Sequence, residues 1–220
     1  MSRRDRPERR CLHCRLPHAL CLCAEVPAQS TSTSLLLLLH RDEERKPTNT
    51  GQLAARCLKN SRVVVTGDLQ RPLPAPLVPE DHRVLLLFPA DDAVDLRTVV
   101  DDGDQRPRTL VVPDGTWRQA SKARQRIEGL QHATCVTLPP GPPTSYQLRA
   151  EPKDGGLATL EAIARAFAVL EGERGANVEA ALLRVFRLQV QRTLWMRGAL
   201  RDDQVEGGIP AAAHTEHLRG

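Results

Sequence analysis

Aromatic side chains are scarce in this chain, which has three phenylalanines, two tryptophans and one tyrosine in 220 residues. Leucine, valine and alanine must therefore build most of the core, and each aromatic residue becomes informative. Long apolar runs are also missing. The run Leu35–Leu39 is far short of the ~20 apolar residues that span a bilayer, so no membrane partner is expected. The N-terminus, MSRRDRPERR, is charged and no apolar stretch follows it, which argues against a secretory leader. The expected compartment is the reducing cytoplasm, where six cysteines are poor disulfide candidates. Generic nucleotide signatures are absent as well. There is no Gly-x-Gly-x-x-Gly after the first expected strand, no phosphate-cradling P-loop and no Gly-x-Ser-x-Gly elbow. A conventional dinucleotide or ATP site is thereby disfavoured.

What is present suits a globular protein, with 40% hydrophobic residues and a formal net charge of +4. The length allows one sizeable domain with a small module. Arginine far outnumbers lysine, which permits a polyanionic partner without demonstrating one; genomic base composition explains it equally well. Residues 1–10 read as a basic, mobile tail, 11–27 as a compact Cys-rich segment, 28–200 as the main domain and 201–220 as a C-terminal tail.

Within the main domain, Ser34–Leu39 reads as a buried strand ending at His40, followed by a helix from Thr50 to Leu58 and a strand over Arg62–Thr66. Four prolines make Leu69–Pro79 irregular. Further strands are expected at Arg83–Phe88, Thr109–Val112 and Cys135–Leu138. Helices are expected at Trp117–Leu130, Leu157–Leu170 and Asn177–Arg197. The strands are continuous apolar runs, as in a parallel sheet buried on both faces, and they alternate with helices. The fold class is therefore α/β, with a mostly parallel sheet flanked by helices. Ligands in such folds sit at the carboxyl ends of the strands. Three of those ends carry His40, Phe88-Pro89-Ala90-Asp91 and Pro113-Asp114.

Cys11, Cys14, Cys21 and Cys23 lie within thirteen residues in the pattern CxxC-x6-CxC. Four thiolates so close can enclose a tetrahedral structural Zn2+, with no open position for catalysis. Free or redox-active thiols and an iron–sulfur cluster are the alternatives, and His13 or His18 could replace one cysteine. Cys57 and Cys135 stand alone and read as core thiols.

Asp114 follows a strand and precedes a helix, where it reads either as a helix cap or as a site residue. Trp117, at the start of that helix, either fills core or stacks on a flat ligand. Arg118, Lys122 and Arg126 recur every fourth residue, making a stripe that is either a solvated face or a track for phosphates. Two further clusters are more polar than loops require. One is His40-x-x-Glu43 with Pro47-Thr48-Asn49-Thr50-Gly51. The other is Ser145-Tyr146-Gln147-Leu148-Arg149, followed by Gly155-Gly156-Leu157-Ala158-Thr159-Leu160-Glu161, where paired glycines permit close backbone approach.

Taken in order over about residues 11–170, these segments resemble the DTW-domain family of tRNA-uridine aminocarboxypropyltransferases. The signature Asp-x-Thr-Trp is matched by Asp114, Thr116 and Trp117. The cysteine cluster, His40-x-x-Glu43 with Thr48-Asn49-Thr50-Gly51, Ser145-Tyr146 with Leu148-Arg149, and Leu157-x-Thr159-Leu160-Glu161-Ala162 complete the match. Two positions depart from it. Arg41 follows His40 where proline is frequent, and Ala158 stands where serine is frequent. The resemblance implies an S-adenosylmethionine-binding fold of SPOUT-like type, with a knot as an open question, and a small N-terminal zinc knuckle with four cysteine ligands. It implies transfer of the 3-amino-3-carboxypropyl group to N3 of a tRNA uridine.

On that basis Asp114 is the expected catalytic base. Phe88, Pro89, Pro113, Thr116, Trp117, Leu138, Ser145, Leu157 and Thr159 would hold S-adenosylmethionine. His40, Glu43, Asn49, Thr50, Tyr146, Arg149, Arg118, Lys122 and Arg126 would face the RNA. The competing expectations are an RNA methyltransferase, the same transfer to rRNA, and a non-enzymatic zinc-knuckle RNA-binding protein. Neither the oligomeric state nor the identity of the uridine is legible.

Overall fold

The computed structural model describes residues 10–68, 70–100, 102–146, 148 and 156–215. The expected basic tail before Arg10 and the final five residues lie outside the described residues, as does Arg149.

Six strands form one sheet: β1 (Ser34–His40), β2 (Ser61–Thr66), β3 (Arg83–Leu87), β4 (Val94–Asp95), β5 (Arg108–Asp114) and β6 (Thr134–Thr137). Their order is β2-β1-β5-β3-β6-β4, and every pairing is parallel. Leu35 to Leu39 of β1 are all almost fully buried, because a parallel strand in mid-sheet has helices or loops on both sides. Leu35, Leu37, Leu85, Leu110, Val112 and Val136 point to one face, and Leu36, Leu38, Val64, Leu86, Val111 and Cys135 to the other.

The first face is covered by α1 (Gly51–Cys57), α2 (Leu96–Val100), α4 (Thr159–Leu170) and α5 (Gly175–Met196). The second is covered by α3 (Trp117–Arg126), the turn after it, and the proline-rich segment through Leu73, Leu77 and Val78. A short α6 (Ala211–Thr215) closes the C-terminal region, buries Ala213 and packs beside His18–Leu20.

The expected core elements form with shifted ends. α3 stops at Arg126 rather than Leu130, because Ile127 leaves helical geometry and drops with Leu130 into the core. β5 runs on through Pro113 and Asp114. β3 pairs with it only as far as Val111, so at Pro113 the strand has β1 alone beside it, and a missing N–H is tolerated there. Sequence patterning missed β4, α2 and α6, each too short to show a period. The Cys-rich segment is not a detached module. Cys11, Cys14, Leu16, Leu20 and Leu22 join the main core, and buried Arg192 of α5 donates to the carbonyls of Leu20 and Cys21 at 3.2 and 2.9 Å. Among the described residues, no helix is long and apolar enough to cross a membrane.

Candidate active site and metal centre

Because the sheet is parallel throughout, the carboxyl ends of β1, β5, β3 and β6 emerge along one edge. β1 and β5 are neighbours, yet α1 follows β1 onto one face and α3 follows β5 onto the other. Chain departing in opposite directions opens a crevice between neighbouring strands, the usual ligand position in α/β sheets.

Asp114 sits in that crevice and is only 8% exposed. Its Oδ2 accepts a hydrogen bond from Asn49 Nδ2 at 2.7 Å, and its Oδ1 accepts from Thr159 Oγ1 at 2.8 Å. The Asn49 amide can face only one way, because its Oδ1 accepts the Gln52 backbone N–H at 3.0 Å. The approach of α1 is so close that a Cβ on Gly51 would collide with Asp114 Oδ2. Only glycine fits there. Thr50 Oγ1 accepts the Leu160 N–H at 3.3 Å and joins the start of α1 to the first turn of α4. The carboxylate thus lies where two helices begin, and the partial positive charge of helix N-termini favours an anion there.

The cap of α3 belongs to Thr116, not to Asp114. Thr116 Oγ1 accepts from Gln119 N at 3.3 Å, and Gln119 Oε1 accepts from Thr116 N at 2.7 Å, a reciprocal capping box. Asp114 is therefore relieved of the capping role that its position before the helix suggested.

Trp117 is 48% exposed and its ring lies 5.9 Å from that of Phe88, tilted by 55°. Tyr146, Phe167, Phe186 and Trp195 are all buried. The two ring systems left at the surface therefore adjoin each other at the strand ends, with exposed Pro89 beside them. Pro113, Leu138, Leu157 and Thr159 are half-buried, and Ser145 is exposed.

Sequence reading did not place Glu161 in the site. It is buried, and its carboxylate accepts from Thr144 Oγ1 at 2.5 Å, Ser145 N at 2.7 Å, Ser145 Oγ at 2.9 Å and Ala158 N at 3.0 Å. One side chain thus fixes the loop after β6 to the start of α4. Its position as the third residue of a helix was the available signal, since a glutamate there can reach back to the cap N–H. Ala158, one of the two departures from the family pattern, is that cap residue and has no side-chain hydroxyl to accept a bond.

The remaining expected site residues are less direct. Tyr146 is in the core, stacked on Phe186 at 5.7 Å, and its hydroxyl donates to the Thr48 carbonyl at 2.9 Å. It ties the two polar clusters together. Glu43 is buried and pairs with Lys46 at 2.5 Å. Arg118, Lys122 and Arg126 all lie on α3, with Arg118 and Arg126 exposed and Lys122 half-buried.

The candidate metal centre is built on a smaller scale. The sulfur atoms of Cys11, Cys14, Cys21 and Cys23 lie within 4.8 Å of one another. Cys11 and Cys23 are 3.5 Å apart, and Cys14 and Cys21 3.8 Å. A tetrahedral zinc with ~2.3 Å metal–sulfur bonds needs sulfurs about 3.8 Å apart, so the four residues fit. His13 and His18 are exposed, and all four positions of the cluster are thiols. Burial pushes the Cys14 thiol up to about 12. Burial also opposes ionisation of Cys11, but the Cys14 and His13 backbone N–H groups and neighbouring thiols outweigh it and bring it to about 6. Such a divided set is one that a divalent cation would draw together as thiolates. Arg56, near the end of α1, donates to Cys23 Sγ at 3.5 Å. Cys57 and Cys135 are buried thiols, as expected.

Residues 8–194 match the model of the DTW domain. The chain is similar to tRNA-uridine aminocarboxypropyltransferase 2 of Macaca fascicularis, at 30% identity over 97% of this chain and 68% of that protein. It is 33% identical to the Drosophila melanogaster protein of the same name, over 76% of this chain and 69% of the relative. It is 28% identical to tRNA-uridine aminocarboxypropyltransferase A of Arabidopsis thaliana, over 82% of this chain and 79% of the relative. No solved structure matches it significantly. With Asp114, Thr116 and Trp117 at the head of its crevice, the chain belongs to the DTW domain family.

Proposed function

We propose that this protein transfers the 3-amino-3-carboxypropyl group of S-adenosylmethionine to N3 of a uridine in tRNA, releasing 5′-methylthioadenosine. One observation carries the reading. Asp114 of the family signature is held by Asn49 and Thr159 at the mouth of the β1–β5 crevice, in a chain whose relatives bear the name of this transferase.

The sulfonium makes three carbons electrophilic, and the site must present the aminocarboxypropyl Cγ rather than the methyl. Holding attacking and leaving atoms in line supplies much of the rate. In this scheme the N3 proton passes to Asp114, a base that Asn49 and Thr159 hold in place by donating to its two oxygens. The adenosine lies among Phe88, Pro89, Pro113, Thr116, Trp117, Leu138, Ser145, Leu157 and Thr159. Glu161 keeps the Ser145 part of that wall in place. His40, Glu43, Asn49 and Thr50 face the uridine, and Tyr146 positions their loop through Thr48. Arg118, Lys122 and Arg126 follow the tRNA backbone. Arg149 is assigned to the ligand carboxylate or to a phosphate. The knuckle holds structural zinc, the sheet is of SPOUT-like descent, and the reaction takes place in the cytoplasm.

The test is incubation with unmodified tRNA and S-adenosylmethionine, followed by mass spectrometry of the nucleosides. An aminocarboxypropyl adduct on uridine is expected. A methyl adduct would make the protein a methyltransferase, and modification of rRNA alone would move the substrate.

A further inference from the structure

We propose that the knuckle is an anionic metal–tetrathiolate centre whose counter-charges are Arg56 of α1 and Arg192 of α5. The proposal rests on the zinc reading above. It makes the docking of the knuckle on the main domain an ionic contact as well as an apolar one.

The starting point is a buried charge that lacks an anion. Arg192 is only 7% exposed. A guanidinium keeps its proton at any physiological pH, so burial cannot neutralise it as it can a lysine. A buried charge is costly unless an opposite charge lies close. Among the described residues Arg192 forms no ion pair with a carboxylate. Its Nη1 donates to the carbonyls of Leu20 and Cys21 at 3.2 and 2.9 Å, and its buried Nε has no hydrogen-bond partner. Arg56 is half-buried and also forms no carboxylate pair among the described residues. Its Nη1 donates to Cys23 Sγ at 3.5 Å. Glu25, the sole carboxylate in residues 11–27, pairs instead with Arg184 at 3.1 Å.

The cysteines supply the anion. Their sulfurs lie within 4.8 Å of one another, and they would bind a divalent cation as thiolates. Four thiolates around one Zn2+ leave two negative charges in excess. Cys11 and Cys14 are buried, so water screens that excess poorly. Arg56 meets it directly at the Cys23 sulfur, where a donated hydrogen bond also draws electron density from the thiolate. Arg192 meets it through the backbone, because its grip on the Cys21 carbonyl keeps a fixed positive charge beside a ligand residue. Two arginines from the main domain thus match the two charges. Arg10 belongs to the knuckle itself and closes its loop by donating to the Arg15 carbonyl at 3.0 Å.

The test measures zinc affinity of the full-length protein by competition with a chromophoric chelator. Arg192→Gln keeps an N–H donor but drops the charge, and should weaken zinc binding about a hundredfold. Arg56→Met, without donor or charge, should weaken it about tenfold. Arg192→Lys and Arg56→Lys keep the charge and should recover most of each loss. In the Co2+-substituted protein, Arg56→Met should move the sulfur-to-metal charge-transfer band to lower energy, because the Cys23 thiolate loses its donor. Arg56 is the less buried of the two, so its variants decide the matter if Arg192→Gln does not fold. Equal affinities for the neutral and lysine variants, or an unmoved cobalt band, overturn the proposal. If the wild-type protein binds no zinc, the zinc reading fails and this proposal with it. Wild-type zinc affinity in both neutral variants sinks this proposal alone.

Discussion

The knuckle and the Asp114 crevice are both clusters of side chains that bear heteroatoms, but on different scales. The knuckle draws four sulfurs from thirteen consecutive residues. The crevice draws Asn49 and Thr159 onto Asp114 from 65 and 45 positions away. A local cluster can form as soon as its turns form, provided a metal joins the thiols. The crevice exists only after β1 and β5 have paired and α1 and α4 have docked. The knuckle is accordingly a staple for Leu16, Leu20 and Leu22, while the crevice is a product of the finished sheet.

That contrast makes separable predictions. The largest effect is expected for Asp114→Ala: about a thousandfold loss of transfer, read by nucleoside analysis, with circular dichroism and binding of S-adenosylmethionine retained. An Asp114→Ala protein with full activity would remove the crevice from the chemistry. Next is Cys14→Ser. It should lose bound zinc and lower the melting temperature by about 10 °C, while the molecules still folded keep their rate constant. If metal removal instead abolished transfer at an unchanged melting temperature, the comparison would break, because the knuckle would then belong to the site. Gly51→Ala should cost about a hundredfold in kcat, since either α1 or the carboxylate must move by a fraction of an ångström or more to admit the methyl group. The smallest effect expected is a gain. Ala158→Ser would supply the missing cap hydroxyl of α4 and add about 1 kcal/mol of stability, seen as a rise of a few degrees in thermal unfolding.

The two regions were not equally legible. The clustering of all four cysteines could be read from spacing alone, because short intervals along the chain bring the sulfurs together as soon as the turns form. In the crevice, Asp114, Asn49, Thr50 and Thr159 were named singly, but nothing in their positions says that they touch. The capping question shows why. Asp114 and Thr116 are both good cap residues two positions apart, and only the bond from Gln119 N to Thr116 Oγ1 separates them. Tyr146 and Glu161 illustrate the reverse difficulty. A polar residue in a loop cluster looks ready for a ligand, yet both are spent on holding neighbouring loops together. The short β4 and α2 left no trace in patterning, since a few residues cannot display a period.

By itself, the sequence determined the α/β layering, the parallel strands and the cysteine cluster, because continuous apolar runs and close thiol spacing act through neighbours along the chain. The insertion of β5 between β1 and β3 was decided by the tertiary structure. So was the departure of α1 and α3 to opposite faces, and with it the meeting of Asn49, Gly51 and Thr159 around Asp114. Strand order follows from how whole faces bury against one another, and that competition is settled only when every layer is in place.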